Sequence, residues 1–369
     1  MNEVKSYRFI ISGGGTGGHV FPALAVAHEL RLQFGNPEIL FVGAKGKMEM
    51  TKVPENGYKI IGLNIRGLQR SLSFSNLLFP FRLISSLFKA RSIIKEFRPD
   101  VAIGFGGYAS APVLWVAAQM GVPTIIQEQN SYAGIANKIL GKKAFKICVA
   151  YEEMDKYFSK DKLVLTGNPV RKEIMNLENK KSEAISYFEL DPGRKTLLVL
   201  GGSLGARSIN ESIIGNLQTL AESGIQMIWQ TGQIYYEEMI SRSVRINFPE
   251  IRIHKFLDRI DLAYSAADVV IARAGALTIA ELCVAGKASI LVPSPNVAED
   301  HQTRNANYLA ARDAALMIPD KEAVGKLVRQ ALELLNNTDK QEQLKTNSSA
   351  MAKTDAAREI VEQLKIVLK

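Results

Sequence analysis

The chain writes one local pattern twice: a short apolar run, a glycine-rich turn, then a helix with apolar residues at three- and four-residue spacing. In the first half Arg8-Phe-Ile-Ile-Ser12 runs into Gly13-Gly-Gly-Thr-Gly-Gly-His19 and a helix carrying Val20, Phe21, Leu24, Ala25, Ala27 and Leu30. In the second half Lys195-Thr-Leu-Leu-Val-Leu200 runs into Gly201-Gly-Ser-Leu-Gly-Ala206 and a helix over Ile209 to Leu220, stopped by Gly224. Strands apolar along their whole length belong to parallel sheets covered on both faces by crossover helices. Further strand patterns fall at 39–42, 100–103, 123–126, 146–149 and 163–165, then at 227–229, from Ile251, at 267–271 and at 288–293. The expectation is an α/β protein of two parallel-sheet domains. Thr166-Gly-Asn-Pro-Val-Arg171 breaks regular structure and sets the boundary, giving domains 1–168 and 169–351. A last helix over 352–369, with Ile360, Leu364 and Val367 at helical spacing, would pack back on the first domain.

With 369 residues, 47% of them hydrophobic, there is material for two full cores. Cys148 and Cys283 sit in apolar surroundings and form neither a disulfide framework nor a metal spacing, which implies a reducing compartment. No charged-then-apolar leader precedes the first strand and no stretch is long enough to span a bilayer, so a soluble or surface-bound cytoplasmic protein is expected. Residues 1–168 hold 21 Lys+Arg against 12 Asp+Glu, and the remainder 25 against 25, so the net charge of +9 lies wholly in the first domain. One domain therefore faces something anionic: nucleic acid, a membrane or a phosphorylated substrate. Nucleic acid fits poorly, because the basic residues are not interleaved with aromatics in a recognisable binding motif.

Gly13, Gly15 and Gly18 satisfy G-x-G-x-x-G between strand and helix, yet the second strand runs into Gly43-Ala44 with no acidic residue for a dinucleotide ribose. What survives is a loop that lets a ligand approach the backbone closely. His19 at its exit is either a structural hydrogen-bonder or a catalytic base. Gly104-Phe-Gly-Gly-Tyr-Ala-Ser110, with Pro112 opening a helix, and Gln127-Glu-Gln-Asn-Ser131 occupy two more strand ends, the edge where open α/β sheets take ligands. In the second half, Ala272-Arg-Ala-Gly-Ala-Leu-Thr-Ile-Ala-Glu281 aims a helix N-terminus above the sheet, a place for phosphate. Glu281, about a turn and a half further in, would accept two hydrogen bonds from a ribose diol. Phosphate and diol together describe a nucleotide; the other reading is an ordinary strand-turn-helix with a solvated Glu. Phe74, Leu77, Leu78, Phe79 and Phe81 are too dense for a solvent loop, while Pro80 and Arg82 rule out a spanning helix. Ringed by basic residues that include Arg82 and Lys89, these side chains either dip into an anionic membrane or pack inside the domain.

Taken together, Gly13-Gly-Gly-Thr-Gly-Gly-His19-Val-Phe-Pro22, Gly104-Phe-Gly-Gly-Tyr108, Gln127-Glu-Gln-Asn130 (without a His), Gly167-Asn-Pro-Val-Arg171, Gly201-Gly-Ser-Leu-Gly-Ala206 and Gly275-Ala-Leu-Thr278 resemble the motif set of the MurG family across nearly the whole chain. The resemblance implies the GT-B fold, two Rossmann-like parallel-sheet domains facing across a cleft. It implies an inverting, metal-independent transfer of N-acetylglucosamine from UDP-N-acetylglucosamine to the muramyl C4 hydroxyl of undecaprenyl-pyrophosphoryl-MurNAc-pentapeptide (lipid I), giving lipid II for peptidoglycan. It places the protein peripherally on the cytoplasmic face of the bacterial inner membrane, with an anionic membrane surface and cell-wall synthesis proteins as partners, no cofactor and no nucleic acid.

Carried over residue by residue, the resemblance puts the sugar-diphosphate against Thr16, Gly17 and Gly18 and the transferred sugar near Asn130. Arg171 and the backbone of Leu257 would hold the uridine; Ser203 and the turn Ala276, Leu277, Thr278, Ile279 and Ala280 the phosphates; Glu281 the ribose; Gln302 the N-acetylglucosamine hydroxyls. Gly14, Gly15, Gly106, Gly107 and Tyr108 would form the acceptor diphosphate loops. Leu257 stands where an Ile is common, and His301 precedes Gln302 where a second Gln can occur. Inverting transfer needs a base for the incoming hydroxyl and charge stabilisation on the departing diphosphate. His19 is the first candidate base and Glu128 the second, whose other reading is a buried carboxylate that positions loops. With no convincing Asp-x-Asp pair to hold Mg²⁺, helix N-termini and Arg171 would neutralise the diphosphate. Two alternatives are an epimerase of UDP-N-acetylglucosamine with a similar fold, which needs no acceptor, and a nucleotide-sugar sensor indifferent to loss of His19.

Overall fold

The computed structural model describes residues 6–66, 79–297 and 300–368. The chain divides into two compact units, one made of Met1–Val170 and Asp355–Lys369, the other of Arg171–Thr354. The first is built on β1 (Arg8–Ser12), β2 (Glu38–Ala44), β3 (Lys59–Leu63), β4 (Val101–Gly104), β5 (Thr124–Glu128), β6 (Lys146–Val149) and β7 (Leu163–Leu165), in the spatial order β3-β2-β1-β4-β5-β6-β7. The second is built on β8 (Thr196–Leu200), β9 (Gln226–Gln230), β10 (Ile251–His254), β11 (Val269–Ala272), β12 (Ala288–Leu291) and β13 (Leu316–Met317), in the order β10-β9-β8-β11-β12-β13. All pairings are parallel. In each unit the winding reverses beside its first strand, between β1 and β4 and between β8 and β11. Such a switch point leaves a crevice beyond the strand carboxyl ends.

Alternate residues of each strand enter opposite layers. Ile10, Val42, Ala102 and Ile126 join the helices Phe79–Phe97 and Ser110–Gln119 on one face. Phe9, Ile11, Phe41, Val101 and Ile103 join Gly17–Phe34 on the other, where Ile360, Val361 and Leu364 of the last helix, Ala356–Leu368, also pack. The second unit repeats this, with Leu198, Leu200 and Val270 on one side and Leu197, Val199, Trp229 and Ile271 on the other. The helix expected over 209–220 is two, Arg207–Gly215 and Leu217–Glu222. Asn216 breaks it: at φ −120° it leaves helical geometry, and its side-chain amide donates to the Ser212 carbonyl at 2.8 Å.

Phe74, Leu77 and Leu78 lie outside the described residues. Helix Phe79–Phe97 buries Ser86, Ala90, Ile93 and Ile94 and turns Phe81, Ile84 and Phe88 outward; both phenylalanines are 71% exposed. Phe79 and Arg82 are half-buried, while the Lys89 ammonium donates to the Gly62 carbonyl at 3.2 Å. No helix among the described residues is long and apolar enough to cross a membrane. Burial pushes the Cys148 thiol up to about 12 and the Cys283 thiol up to about 11, so both are inert packing groups.

Candidate functional site

At the switch point of the first unit two glycine loops touch. Gly106 and Gly107 both hold positive φ, at +85° and +84°, and a Cβ on Gly107 would fall 2.3 Å from the Gly14 carbonyl oxygen. Only glycine allows that approach. Thr16 caps helix Gly17–Phe34 in extended geometry, and its carbonyl accepts the His19 and Val20 amides. The amides of the first turn, at Gly17 and Gly18, cannot be satisfied inside the helix, which makes this end suited to an anion. Tyr108 is half exposed beside the loop.

His19 is half-buried and its Nδ1 stands 2.9 Å from the Gly14 carbonyl oxygen, with Thr16 Oγ1 at 3.3 Å. A carbonyl only accepts, so Nδ1 carries the proton and Nε2 the lone pair. Nε2 faces the second glycine loop, where a Cβ on Gly106 would fall 3.0 Å from it. The Gly15 amide, by contrast, is committed to Glu49 Oε2 at 2.9 Å, so Gly15 offers a ligand no N–H.

Glu128 ends β5 with its carboxylate buried. Oε1 accepts the backbone and side-chain N–H groups of Asn130 at 3.1 and 3.4 Å, and Oε2 accepts the Gly134 amide and the Asn137 side chain at 3.1 and 2.8 Å. Burial raises its pKa, against the pull of those hydrogen bonds. With both oxygens occupied, Glu128 shapes the 129–134 loop that presents Asn130. Gln129 and Asn168 extend the same framework: Gln127 donates to Asn168 Oδ1, Asn168 to the Gln129 carbonyl, and Gln129 to the Phe105 carbonyl.

In the second unit Gly275 caps helix Ala276–Val284, and the Ile279 amide makes the first bond of its ladder, to Gly275 at 2.9 Å. Leu277 and Ile279 point their side chains into the core. The amides not bonded within the helix are therefore those of 276–278, while the Ile279 amide is already engaged in the helix ladder and Ala280 follows it. Ser203 stands exposed in the glycine loop after β8, its carbonyl taking the Gln233 amide at 3.1 Å. Leu257 is buried and its amide donates to Gln230 Oε1 at 3.0 Å, so its N–H is already engaged. Gln302 Oε1 accepts the Ser294 amide at 2.9 Å, fixing the loop before helix His301–Ala310.

Arg171 and Glu281 come together, Nε and Nη2 both reaching Oε1 at 2.9 and 2.7 Å, with the Tyr264 hydroxyl 3.4 Å from Oε2. Burial alone would lower the Arg171 pKa, but the carboxylate carries it above its ordinary value, while burial and the same carboxylate drive Tyr264 well above 10. Glu281 is thus not a solvated side chain, and the Arg171 charge, spent on Glu281, is not a free neutraliser for a diphosphate.

Three residues escaped the sequence reading. Glu49 and Tyr264 carry no motif signal, since a single Glu or Tyr in a helix is unremarkable until the fold buries it. Arg273, although inside the Ala272–Glu281 stretch, shows its role only in space: it pairs with Asp320, donates to Ser208 Oγ at 3.1 Å, and donates to the Val292 and Pro293 carbonyls at 3.1 and 3.3 Å. One guanidinium so ties the first turn of helix Arg207–Gly215, which follows β8, to the segments that follow β11, β12 and β13. Among the described residues no group of three or more His, Cys, Asp or Glu side chains could hold a metal ion.

The glycosyltransferase family 28 N-terminal domain matches residues 9–149 and the glycosyltransferase family 28 C-terminal domain matches residues 196–363. The chain is 53% identical over 364 residues, 99% of this chain and 98% of the relative, to the UDP-N-acetylglucosamine–N-acetylmuramyl-(pentapeptide) pyrophosphoryl-undecaprenol N-acetylglucosamine transferase of Cytophaga hutchinsonii. To the protein of that name from Parabacteroides distasonis it is 52% identical over 361 residues, 98% of each chain. The crystal structure of Acinetobacter baumannii MurG superposes with a TM-score of 0.74 at 28% identity, covering 98% of this chain and 99% of that one. Two matched domains in order, and relatives at this identity over nearly all of its length, mean that the chain belongs to the MurG family of glycosyltransferase family 28 and has the GT-B fold.

Proposed function

We propose that the protein transfers N-acetylglucosamine from UDP-N-acetylglucosamine to the muramyl C4 hydroxyl of undecaprenyl-pyrophosphoryl-MurNAc-pentapeptide with inversion, forming lipid II. The names of its relatives support the two substrates. The observation that carries the mechanism is the His19 bond to Gly14: it leaves the basic Nε2 at the glycine loops of the first unit, where a base must meet an acceptor hydroxyl. Nε2 removes the hydroxyl proton as the oxygen attacks the anomeric carbon and UDP departs from the opposite face. Glu128 acts through Asn130, whose loop it holds, and not as the base. In the second unit the first turn at 276–278 lends N–H groups to the donor diphosphate, with the Ser203 loop beside it; in the first unit the turn at 17–18 is a place of its own for an anion. Glu281 receives the ribose diol and Arg171 keeps that carboxylate in place, with the Leu257 carbonyl against the uracil and Gln302 near the sugar.

Residence at the membrane surface fits the same reading. Phe81, Ile84 and Phe88 form an outward apolar stripe beside Arg82, in the half of the chain that carries the whole net charge. The partner surface is the anionic cytoplasmic leaflet, where the lipid-linked acceptor resides.

The test is turnover of UDP-N-acetylglucosamine with and without a short-chain lipid I analogue. UDP release that requires the acceptor, with a β-linked disaccharide product by NMR, supports the transferase. Conversion of the nucleotide sugar without acceptor would instead indicate the epimerase.

A further inference from the structure

The carboxylate of Glu49, a fully buried side chain at the start of helix Glu49–Glu55, has no part in the functions assigned above. Its Oε1 accepts the Ala44 amide and its Oε2 the Gly15 amide, both at 2.9 Å. Room for it is made by two glycines: a Cβ on Gly14 would fall 2.1 Å from Oε1, and one on Gly43 would fall 2.6 Å from its Cγ. The Gly15 N–H and the Gly14 C=O belong to one planar peptide unit, and they point in opposite directions. On its N–H side that peptide meets Glu49; on its C=O side it meets His19 Nδ1 at 2.9 Å.

We propose that Glu49 is the positioning residue for His19, acting through the Gly14–Gly15 peptide. A carboxylate hydrogen-bonded to the N–H of a peptide fixes the plane of that peptide and polarises its carbonyl. The carbonyl in turn holds the imidazole in the tautomer with the proton on Nδ1 and strengthens Nε2 as an acceptor. The arrangement does through one peptide what a carboxylate does directly for the histidine of a Ser-His-Asp triad. Glu49 touches neither substrate. The inference rests on the reading of His19 as the base.

The experiment is a double-mutant cycle on transfer to the short-chain acceptor at saturating UDP-N-acetylglucosamine. In Glu49→Gln one oxygen becomes an NH₂ group, which cannot accept from a backbone N–H. The kcat is expected to fall about 10- to 100-fold, the size of effect seen when a hydrogen-bond partner that orients a metal-ligating histidine is lost, with the KM for UDP-N-acetylglucosamine unchanged. Glu49→Asp, which keeps two acceptors, should recover part of the loss. Combined with His19→Ala, Glu49→Gln should lower kcat no further. An equal additional loss in the His19→Ala background, or wild-type kcat in Glu49→Gln alone, overturns the proposal. If Glu49→Gln fails to melt cooperatively, the same cycle is read with Glu49→Asp. Should His19→Ala itself retain wild-type kcat, it is the reading of His19 that fails, and the proposal falls with it.

Discussion

Arg171 and Glu281, 110 residues apart in sequence, meet on a single carboxylate oxygen, with Nε at 2.9 Å and Nη2 at 2.7 Å from Oε1. Side chains only 22% and 4% exposed make this an enclosed pair. Removing one partner leaves the other charge uncompensated, at a cost of about 3 kcal/mol or more. Arg171→Met should lower the denaturant midpoint of the second unit accordingly and weaken UDP binding. Glu281→Gln should also abolish discrimination between UDP and its 2′-deoxy analogue, measured by calorimetry. Retained discrimination would place the ribose elsewhere.

Contact between the two glycine loops of the first unit leads to a different phenotype. In Gly107→Ala the new methyl would meet the Gly14 carbonyl at 2.3 Å from a backbone already at φ +84°. The loops must separate, disturbing the carbonyl that orients His19. Expected is a kcat reduced by about tenfold or more, as misplacing a catalytic group by a fraction of an ångström does, with UDP affinity unaltered. Lost UDP affinity with normal kcat would contradict this division of labour.

The α/β alternation was legible because strands buried on both faces are uniformly apolar, as Phe9 to Ile11 and Leu197 to Leu200 are. Glycine turns marked the loops at the switch points. Hydrogen-bond commitments were not legible, since they depend on partners distant in sequence. Thus Gly15 reads as a phosphate-loop glycine until Glu49 takes its amide, the Leu257 backbone as open at both its polar groups until Gln230 takes the N–H, and Arg171 as an unpaired cation until Glu281 meets it. Glu128 was open between base and scaffold, and only the four N–H groups around it decide the role proposed for it. The break at Asn216 was missed because apolar spacing continues through it.

Asp261 gives the second unit an acid-sensitive link. Burial would raise its pKa, but hydrogen bonds from Arg259 and Lys180 outweigh burial and take it from 3.8 down to about 2. The unfolded chain therefore binds a proton near pH 4 that the folded unit refuses. The contribution is present in full above that pH and is lost as pH falls from about 4 to about 2. Urea midpoints across this window should drop in the wild type and flatten in Asp261→Asn. Equal slopes would remove Asp261 as the cause.

For the outward stripe, Phe81→Ser with Phe88→Ser should weaken co-sedimentation with anionic vesicles. Arg82→Glu should do so by about 2 kcal/mol, two unit charges near the surface. UDP affinity and turnover of a soluble short-chain acceptor should not change. Lys89, bonded to Gly62, should matter less than Arg82. Undiminished vesicle binding in these variants would remove the membrane role of this face.

The most direct measurement is transfer of labelled N-acetylglucosamine from UDP-N-acetylglucosamine to a short-chain lipid I analogue, with EDTA present, for wild type and His19→Ala. Wild-type transfer that survives chelation, with kcat in His19→Ala down about 100-fold or more and UDP affinity unchanged, is the expected result. Undiminished transfer in His19→Ala, or no transfer by wild type despite tight UDP binding, would contradict it.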